Sequence, residues 1–354
     1  MRLSEFDYRL PAESIARYPA KRRDDSRLMV IHRDTGRTEH RRFYDVLSYL
    51  NAGDCLVINE SKVLPARLFG VRERAGARGD VVSVECLLVR CISDSVWEIM
   101  VRPGKRLRKG DTVRFTENGD FSAEITDFTG DGLRAAVFRC TGDFMDRLSE
   151  LGKMPIPPYI GREAEESDKT RYQTVYSRVR GSVAAPTAGL HFTDELLREA
   201  ADAGVRVARL CLHVGPGTFR PVKTDDIETH TMHIEEYEIS AECAALIDET
   251  KAENGSVICV GTTSARAVES AALYDKAAGR ARARPGRGST DIFIYPGYEF
   301  RLTDALITNF HLPKSTLLML VSAFCDRERV LRAYEEAALE GYRFLTYGDA
   351  MLIL

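Results

Sequence analysis

The chain has 354 residues, of which 44% are hydrophobic and 29% charged, and this favours a soluble globular protein of about two domains. It has no apolar run long enough to span a membrane and no signal peptide at its start, so we expect a cytoplasmic protein without membrane contact. Its net charge of −3 excludes recognition of nucleic acid by bulk charge, so such a partner would have to meet local basic patches.

The first 63 residues are predicted to form an opening α/β segment. Residues 28–32 and 55–59 have the short apolar pattern of buried strands. Residues 43–50 repeat apolar side chains at helical spacing, and the Asn-Ala-Gly-Asp sequence at 51–54 ends that helix.

Between Pro65 and Thr141 the chain changes to short β-rich segments separated by Gly-rich or Asp-rich turns. That spacing predicts a small antiparallel sheet or barrel. The predicted strands are residues 66–71, 81–90, 96–101, 112–115, 121–126 and 133–138.

The proline-rich segment 153–160 is predicted to be an extended linker, and helices and strands alternate after it. The alternation predicts a mainly parallel sheet, or a barrel-like α/β arrangement, covered by helices. The predicted helices are residues 194–203, 241–253, 266–275 and 315–324, and the predicted strands are residues 205–214, 256–260, 291–295 and 305–310.

Polar residues follow three of these strands, at 213–219, 261–266 and 308–316. In α/β folds the chemistry lies just past the carboxyl ends of the strands, so we expect a site there. The third of these segments carries Asn309 and His311.

Two predicted helix starts in these segments suit an anion such as a carboxylate or phosphate. Thr262, Thr263 and Ser264 offer hydroxyls and free N–H groups, and Arg266 could clamp the anion. Simple N-capping is the more economical explanation of Ser264 taken alone. Lys314 stands before the second helix start, with the same two interpretations.

The nearly uncharged loop 181–192 is a further candidate part of the site. Its small residues let a ligand approach the backbone closely, while Pro186 and Gly189 determine its shape. It carries Thr187 and leads to His191. The alternative is a buried Ala/Gly turn with a core histidine.

A metal site is suggested by His230, His233 and Glu235, which lie close together in sequence. Their spacing matches no standard ligand motif, and the eight cysteines are scattered singly without a Cys-x-x-Cys pair. We therefore expect no metal, reduced thiols, and histidines that serve in acid–base chemistry or hydrogen bonding.

Two basic segments are candidate contacts for RNA phosphate, and each could equally be solvated surface. Residues 102–110 hold five cations in nine residues on a predicted hairpin loop of the barrel. Residues 279–288 are low in complexity and are expected to be mobile. The run at 21–23 is a third, smaller source of positive charge. The cations of interest are Lys105, Arg106, Arg108 and Lys109 in the first segment and Arg280, Arg282 and Arg284 in the second.

Several longer motifs resemble those of the S-adenosylmethionine:tRNA ribosyltransferase-isomerase family of queuosine biosynthesis, and they follow the family's order from end to end. The motifs are residues 65–68, 157–160, 171–176, 181–193, 212–222, 230–235, 261–270, 290–298, 306–320 and 347–351. Two features depart from the family's pattern. Asn-Glu-Ser-Lys at 59–62 stands where Asn-Asp-Thr-Arg is usual, and the basic segment 280–287 is longer.

The resemblance implies a reaction. The ribosyl part of S-adenosylmethionine moves to the 7-aminomethyl-7-deazaguanine base in the anticodon of a tRNA with a GUN anticodon. The ribose is rebuilt as an epoxycyclopentanediol to give epoxyqueuosine, while adenine and methionine leave. No metal or redox cofactor is implied, because S-adenosylmethionine is consumed as a substrate.

The resemblance also implies an α/β domain made of residues 1–64 and 142–354, with a β-barrel domain inserted at 65–141. We expect a monomer.

The implied chemistry needs a base, an acid and an anion site. The candidate proton carriers are His191, His213, His233, Glu235, Asp291 and His311. The candidate substrate-binding residues are Thr187, Gly189, Thr262, Thr263, Ser264, Arg266, Asn309 and Lys314. The alternatives are a metal-dependent hydrolase that uses the histidines and a non-catalytic RNA-binding module.

Overall fold

The structure is a computed structural model that describes residues 1–73, 81–215, 222, 224–276 and 279–354. Within these residues the chain forms a nine-stranded sheet, a closed six-stranded barrel and two two-stranded sheets. None of the helices in the described ranges has both the length and the apolar character needed to cross a membrane.

The helices and strands of the described residues have the following bounds. The α-helices are α1 (Phe144–Leu151), α2 (Asp168–Arg171), α3 (Asp194–Asp202), α4 (Ala241–Ala252), α5 (Thr262–Ser270), α6 (Thr316–Cys325) and α7 (Arg327–Leu339). Short 3₁₀ turns lie at Leu3–Phe6, Ala12–Ser14, Arg23–Asp25, Phe43–Tyr49, Gly104–Arg106, Gly130–Gly132, Pro158–Ile160, Thr187–His191 and Ile227–Thr229. The strands outside the barrel are β1 (Arg27–Ile31), β2 (Thr38–Arg42), β3 (Cys55–Asn59), β4 (Ser61–Val63), β11 (Val179–Ser182), β12 (Arg206–Leu212), β13 (Glu235–Ile239), β14 (Val257–Val260), β15 (Ala272–Asp275), β16 (Arg280–Ala283), β17 (Gly286–Thr290), β18 (Ala305–Asn309) and β19 (Ala350–Ile353). The barrel strands are β5 (Arg67–Glu73), β6 (Val82–Ser93), β7 (Val96–Arg102), β8 (Thr112–Arg114), β9 (Phe121–Phe128) and β10 (Arg134–Cys140).

The large sheet is mixed and has the strand order β17-β13-β12-β3-β14-β18-β19-β1-β2. The four neighbouring strands β12, β3, β14 and β18 run parallel at its centre, and antiparallel pairs lie towards both edges. The central strands β3, β14 and β18 are buried along their whole length. A strand that is covered on both faces needs a continuous run of apolar residues. Such runs are visible in the sequence, which is why these strands could be predicted. The predicted α/β class is confirmed, with a sheet that is parallel only at its centre and across the β1–β19 pair.

Alternate residues of each central strand pack into two different cores, as the two-residue period of a strand requires. In β3, Cys55 and Val57 face the core formed with α4, α5, α6 and α7. Leu56 and Ile58 face the core formed with α3 and the 3₁₀ turn Phe43–Tyr49. The sheet is therefore a middle layer, and its carboxyl edge is left for the loops that follow the strands.

The predicted antiparallel barrel is confirmed as a closed barrel of order β10-β7-β6-β5-β8-β9. In β9, Phe121, Ala123 and Ile125 are buried and alternate with more exposed residues. Gly70 in β5 is needed for close strand packing, because a Cβ there would lie 2.3 Å from the carbonyl oxygen of Arg114. Closure means that each of the six described strands pairs with a neighbour on both sides.

Two sequence predictions near the end of the large sheet are wrong. The helix predicted at 266–275 begins earlier, at Thr262, and ends at Ser270, after which residues 272–275 form strand β15. Residues 291–295 are not a strand, and the edge of the sheet is the preceding segment β17.

The basic segment 279–288 was expected to be mobile, but its described residues form β16 and the start of β17. Ala283 is buried against the core that includes α4, while Arg282 points outwards to Asp248 and Asp275. Arg and Ala alternate here with the two-residue period of a strand. The prediction considered only the low-complexity composition of the segment and overlooked this period.

Candidate active site

A cleft of about 650 Å³, including its open mouth, lies at the carboxyl edge of the parallel strands. The cleft is formed by the residue that follows β14, the end of β18, the starts of α5 and α6, and the turn Thr187–His191. Its described lining contains no Asp, Glu, Lys or Arg. The lining residues are Tyr159, 184–188, Val214, 261–263, 308–312, Ser315, Leu317, Leu345 and Thr346.

The amino end of α5 faces this cleft through Gly261, Thr262 and Thr263. Gly261 occupies the N-cap with φ of 91°, a conformation that favours glycine, and no side chain caps the helix. The first N–H groups of a helix have no partner within it and carry a partial positive charge. This helix start therefore suits a carboxylate.

Ser264, by contrast, does not line the cleft. Its Oγ donates a 2.8 Å hydrogen bond to the carbonyl of Val260, and the residue is fully buried. Asn59 instead supports the helix start: its Oδ1 accepts from the N–H of Leu212, its Nδ2 donates to that residue's carbonyl, and Thr263 Oγ1 lies 3.5 Å from Nδ2.

Asn309, at the end of β18, lines the cleft and is 1% exposed. Its Nδ2 donates to the carbonyl of Leu345 and to Nε2 of His191, both at 3.1 Å. His191 Nδ1 then carries the proton and donates to Ser26 Oγ at 2.7 Å. Asn309 Oδ1 is buried and has no hydrogen-bond partner among the described residues. This oxygen is therefore an acceptor that a ligand donor in the cleft could satisfy.

Two predicted proton carriers, His191 and His311, are buried and electrically neutral at pH 7. The pKa of each is lowered to about 3, by burial in both cases and, for His191, also by the charges of Arg343 and Arg23. His311 lines the cleft and its Nε2 lies 2.8 Å from Thr308 Oγ1. Because an imidazole with so low a pKa holds a proton weakly, both act as hydrogen-bonding groups in the unliganded site.

Arg266 and Glu235, predicted as an anion clamp and a proton carrier, form a buried ion pair with each other. Arg266 Nε also donates to the carbonyl of Ile292 at 3.3 Å, and Glu235 accepts from the N–H of Gly215 at 3.2 Å. Neither residue lines the cleft. The pair joins α5 to the strand β13, so Arg266 is already neutralised by Glu235 in the unliganded protein.

Other predicted residues also lie outside the cleft lining. Lys314 forms a 2.7 Å ion pair with Asp7. Gly189 packs against Tyr176, whose Oη would lie 2.0 Å from an added Cβ. His213 is partly exposed, 3.7 Å from Cys211 Sγ and next to the cleft residue Val214, and burial lowers its pKa.

His233 and Asp291 are exposed. Thr187, Thr262, Thr263, Asn309 and His311 are thus the predicted residues that the fold brings together.

Tyr159 belongs to the motif at 157–160, whereas the sequence did not single out Thr346; their hydroxyls lie 2.7 Å apart in the cleft wall. Thr346 directly precedes the motif at 347–351, which is the one signal that could have identified it. Of the predicted polar segment after β12, residues 216–219 lie outside the described residues.

The barrel loop presents Lys105, Arg106, Arg108 and Lys109 as exposed side chains around the 3₁₀ turn Gly104–Arg106. In the second basic segment, Arg284 is exposed, Arg280 is partly buried and Arg282 is paired with two carboxylates. The barrel loop therefore has the larger set of cations available to a polyanion.

Comparison with known proteins places these features in a family. The queuosine biosynthesis protein family model matches residues 3–353. Proteins named S-adenosylmethionine:tRNA ribosyltransferase-isomerase from Desulforamulus reducens and Pelotomaculum thermopropionicum are 51% and 53% identical to the chain over 354 residues, covering 100% of each partner. A crystal structure of S-adenosylmethionine tRNA ribosyltransferase from Thermotoga maritima is 38% identical, covers 99% of this chain and 100% of its own, and has a TM-score of 0.55. The chain therefore belongs to the queuosine biosynthesis protein family, a family of enzymes that includes these S-adenosylmethionine:tRNA ribosyltransferase-isomerases.

Proposed function

We propose that this enzyme transfers and isomerises the ribosyl part of S-adenosylmethionine onto 7-aminomethyl-7-deazaguanine in the anticodon of a GUN tRNA. The products are epoxyqueuosine in the tRNA, adenine and methionine. Full-length identity of about half to the named relatives supports the reaction class. The observation that carries the proposal is the uncharged cleft at the strand ends, which is lined by apolar groups and a few hydroxyls and ring nitrogens, as small-molecule sites are.

The cleft fits the parts of S-adenosylmethionine in different ways. Its apolar and hydroxyl lining suits the neutral adenosine portion, and the uncapped start of α5 suits the methionine carboxylate. Thr187, Thr262 and Thr263 supply hydroxyls beside these positions. Of the six predicted proton carriers, only His311 lines the cleft, so it is the one we propose to contact the substrate.

The sulfonium group makes the neighbouring C–H acidic enough for a positioned base to remove its proton. Adenine leaves more readily when one of its ring nitrogens is protonated. Asn309 Oδ1 and the neutral His311 ring can hold the ribose hydroxyls or adenine amino group in place while these proton transfers occur.

The direct test is incubation of the purified protein with S-adenosylmethionine and a GUN tRNA that carries 7-aminomethyl-7-deazaguanine. Release of adenine and appearance of epoxyqueuosine in the digested tRNA are expected. The same incubation with a tRNA containing unmodified guanine is the control. Absence of adenine release with the modified tRNA would contradict the proposal.

Replacing Asn309 by alanine should lower kcat/KM for S-adenosylmethionine by roughly 10-fold to 100-fold, because a buried polar group that loses its partner costs about 1–3 kcal/mol. The change removes the Oδ1 acceptor and leaves His191 Nε2 without its donor. Steady-state kinetics would measure the effect, with Asn118→Ala at an exposed barrel turn as control. A kcat/KM equal to that of the wild type would exclude Asn309 from substrate binding.

We propose that tRNA contacts the barrel loop. Replacing Lys105, Arg106, Arg108 and Lys109 by alanine should weaken tRNA binding and flatten its dependence on salt. Each lost phosphate contact to a single-stranded loop reduces the log–log slope by about 0.7. Affinity over a salt series would measure this, with S-adenosylmethionine affinity expected to stay unchanged. An unaltered slope would show that these cations are only solvated surface.

Chelation distinguishes the proposed reaction from the alternative function, a metal-dependent hydrolase. Among the described residues no group of three or more His, Cys, Asp or Glu side chains is placed to hold a metal ion. We expect adenine release to persist after exhaustive dialysis against EDTA, with mock-dialysed enzyme as the control. Loss of activity that zinc restores would support the hydrolase, and tRNA binding without any turnover would support the RNA-binding module.

As part of the same proposal, residues 1–64 and 142–354 act as the catalytic domain and 65–141 as an inserted domain. We further propose that the enzyme acts as a cytoplasmic monomer without a metal or redox cofactor.

A further inference from the structure

A second cavity, of about 270 Å³, lies beside the cleft and is strongly basic. Three arginines from distant parts of the chain, Arg23, Arg171 and Arg343, line it. The figure of about 270 Å³ includes the open space at its mouth, and the enclosed part is only about 20 Å³. The cavity therefore suits a small anion better than a whole cofactor.

The positive charge of this cavity is largely uncompensated. Arg23 donates to the carbonyls of Leu190 and Thr170, and Arg171 donates to those of Ala20 and Lys21. These bonds orient the guanidinium groups but supply no negative charge.

Of the three arginines, only Arg343 pairs with a carboxylate within the described residues, that of Asp349 at 3.3 Å. The Nε of Arg171 is buried and has no partner in the described ranges. Burial, followed by repulsion from Arg171, lowers the pKa of Arg23, as expected where like charges converge.

The cavity and the cleft adjoin each other. Thr346 lines both of them. His191 lines the cavity and accepts a hydrogen bond from Asn309, which lines the cleft. An anion in the cavity would therefore lie next to whatever reacts in the cleft.

We propose that this arginine cavity binds a backbone phosphate of the tRNA, next to the nucleotide whose base reacts in the cleft. The inference rests on the proposed function, because it assigns the phosphate to that tRNA. S-adenosylmethionine is a poorer occupant: its sulfonium and ammonium groups outweigh its carboxylate, so its net charge is repelled by three arginines. Guanidinium groups bind phosphate through paired N–H donors, which the three converging side chains supply.

The test is tRNA affinity over a salt series for Arg171→Gln, using the GUN tRNA with 7-aminomethyl-7-deazaguanine. We expect binding roughly 10-fold to 100-fold weaker and a log–log salt slope smaller by about 0.7, with S-adenosylmethionine affinity unchanged. Arg171→Lys, which keeps the charge, should recover most of the affinity. Arg332→Gln, at an exposed position on α7, is the charge-matched control and should bind as the wild type does.

A second variant, Arg343→Gln, guards against a local folding defect in the first. The backbone N–H groups of Arg27 and of residue 343 still bond Asp349 in this variant, so that carboxylate keeps two donors. Both variants should show the weaker binding and the smaller slope. If inorganic phosphate competes with tRNA for the wild type no better than chloride at equal ionic strength, or if both variants bind tRNA with wild-type affinity and slope, the proposal is overturned. If the wild type itself fails to bind tRNA, the proposed function falls together with this inference.

Discussion

Arg266→Ala is expected to lower the free energy of unfolding by about 3–5 kcal/mol, because it leaves Glu235 as an uncompensated buried charge. Both side chains are only 5–6% exposed. The Gly215 N–H would be the remaining donor to this carboxylate among the described residues. Urea denaturation at pH 7 would measure the loss, and the substitution should leave the affinity for S-adenosylmethionine unchanged at temperatures where the variant is folded.

Two matched variants separate the buried pair from other effects of the substitution. Arg198→Ala removes an exposed arginine that pairs with Glu195 on α3, and it should change stability little. Replacing both members of the buried pair, as in Arg266→Met with Glu235→Leu, should cost less than Arg266→Ala alone, because no charge is then left unpaired. A double variant less stable than the single one, or a large loss of ligand affinity in the folded single variant, would mean that Arg266 also serves the ligand.

The second large effect is a loss of stability on mild acidification. His191 and His311 have a pKa of about 3 in the folded protein and about 6.5 when unfolded. Below pH 6.5 the unfolded chain therefore binds two protons that the folded protein does not. The stabilisation is complete above pH 6.5 and is lost as the pH falls towards 3, by roughly 4 kcal/mol in total between pH 7 and pH 5.

Urea denaturation at a series of pH values would measure this dependence. His191→Gln and His311→Gln should each remove about half of it, and the double variant should remove most of it. Phe43→Leu is the control, since Phe43 stacks on the His191 ring, with ring centroids 5.0 Å apart, but does not titrate. That variant should be less stable at every pH while keeping the wild-type slope. Equal stability of the wild type at pH 7 and pH 5 would contradict the assignment of two buried neutral imidazoles.

Short-range patterns in the sequence were enough to predict several of the strands. The buried strands at 55–59 and 305–309 are continuous apolar runs, and the barrel strands alternate between buried and exposed positions. The strand-end rule located Thr262, Thr263, Asn309 and His311, because the carboxyl ends of parallel strands meet at one edge of the sheet.

The same reasoning says nothing about a partner that lies far away in the sequence. Arg266 follows a helix start and looked like a free clamp, but Glu235, from the antiparallel strand β13, neutralises it. Local spacing carries no information about which strand packs beside which helix. Likewise, the short segment 280–283 folds as a strand because its alanines pack inwards against the core. A prediction from composition alone has no information about that packing.

By itself, the sequence determined the family, the α/β class with its antiparallel barrel, and the polar strand ends that form the cleft, since each depends on motifs or on short-range periodicity. Only the tertiary structure decided which of the charged candidates are available to a ligand. Charges neutralise or reinforce one another according to distance in space, so the buried pair of Arg266 with Glu235 and the convergence of Arg23, Arg171 and Arg343 became visible only in the folded chain.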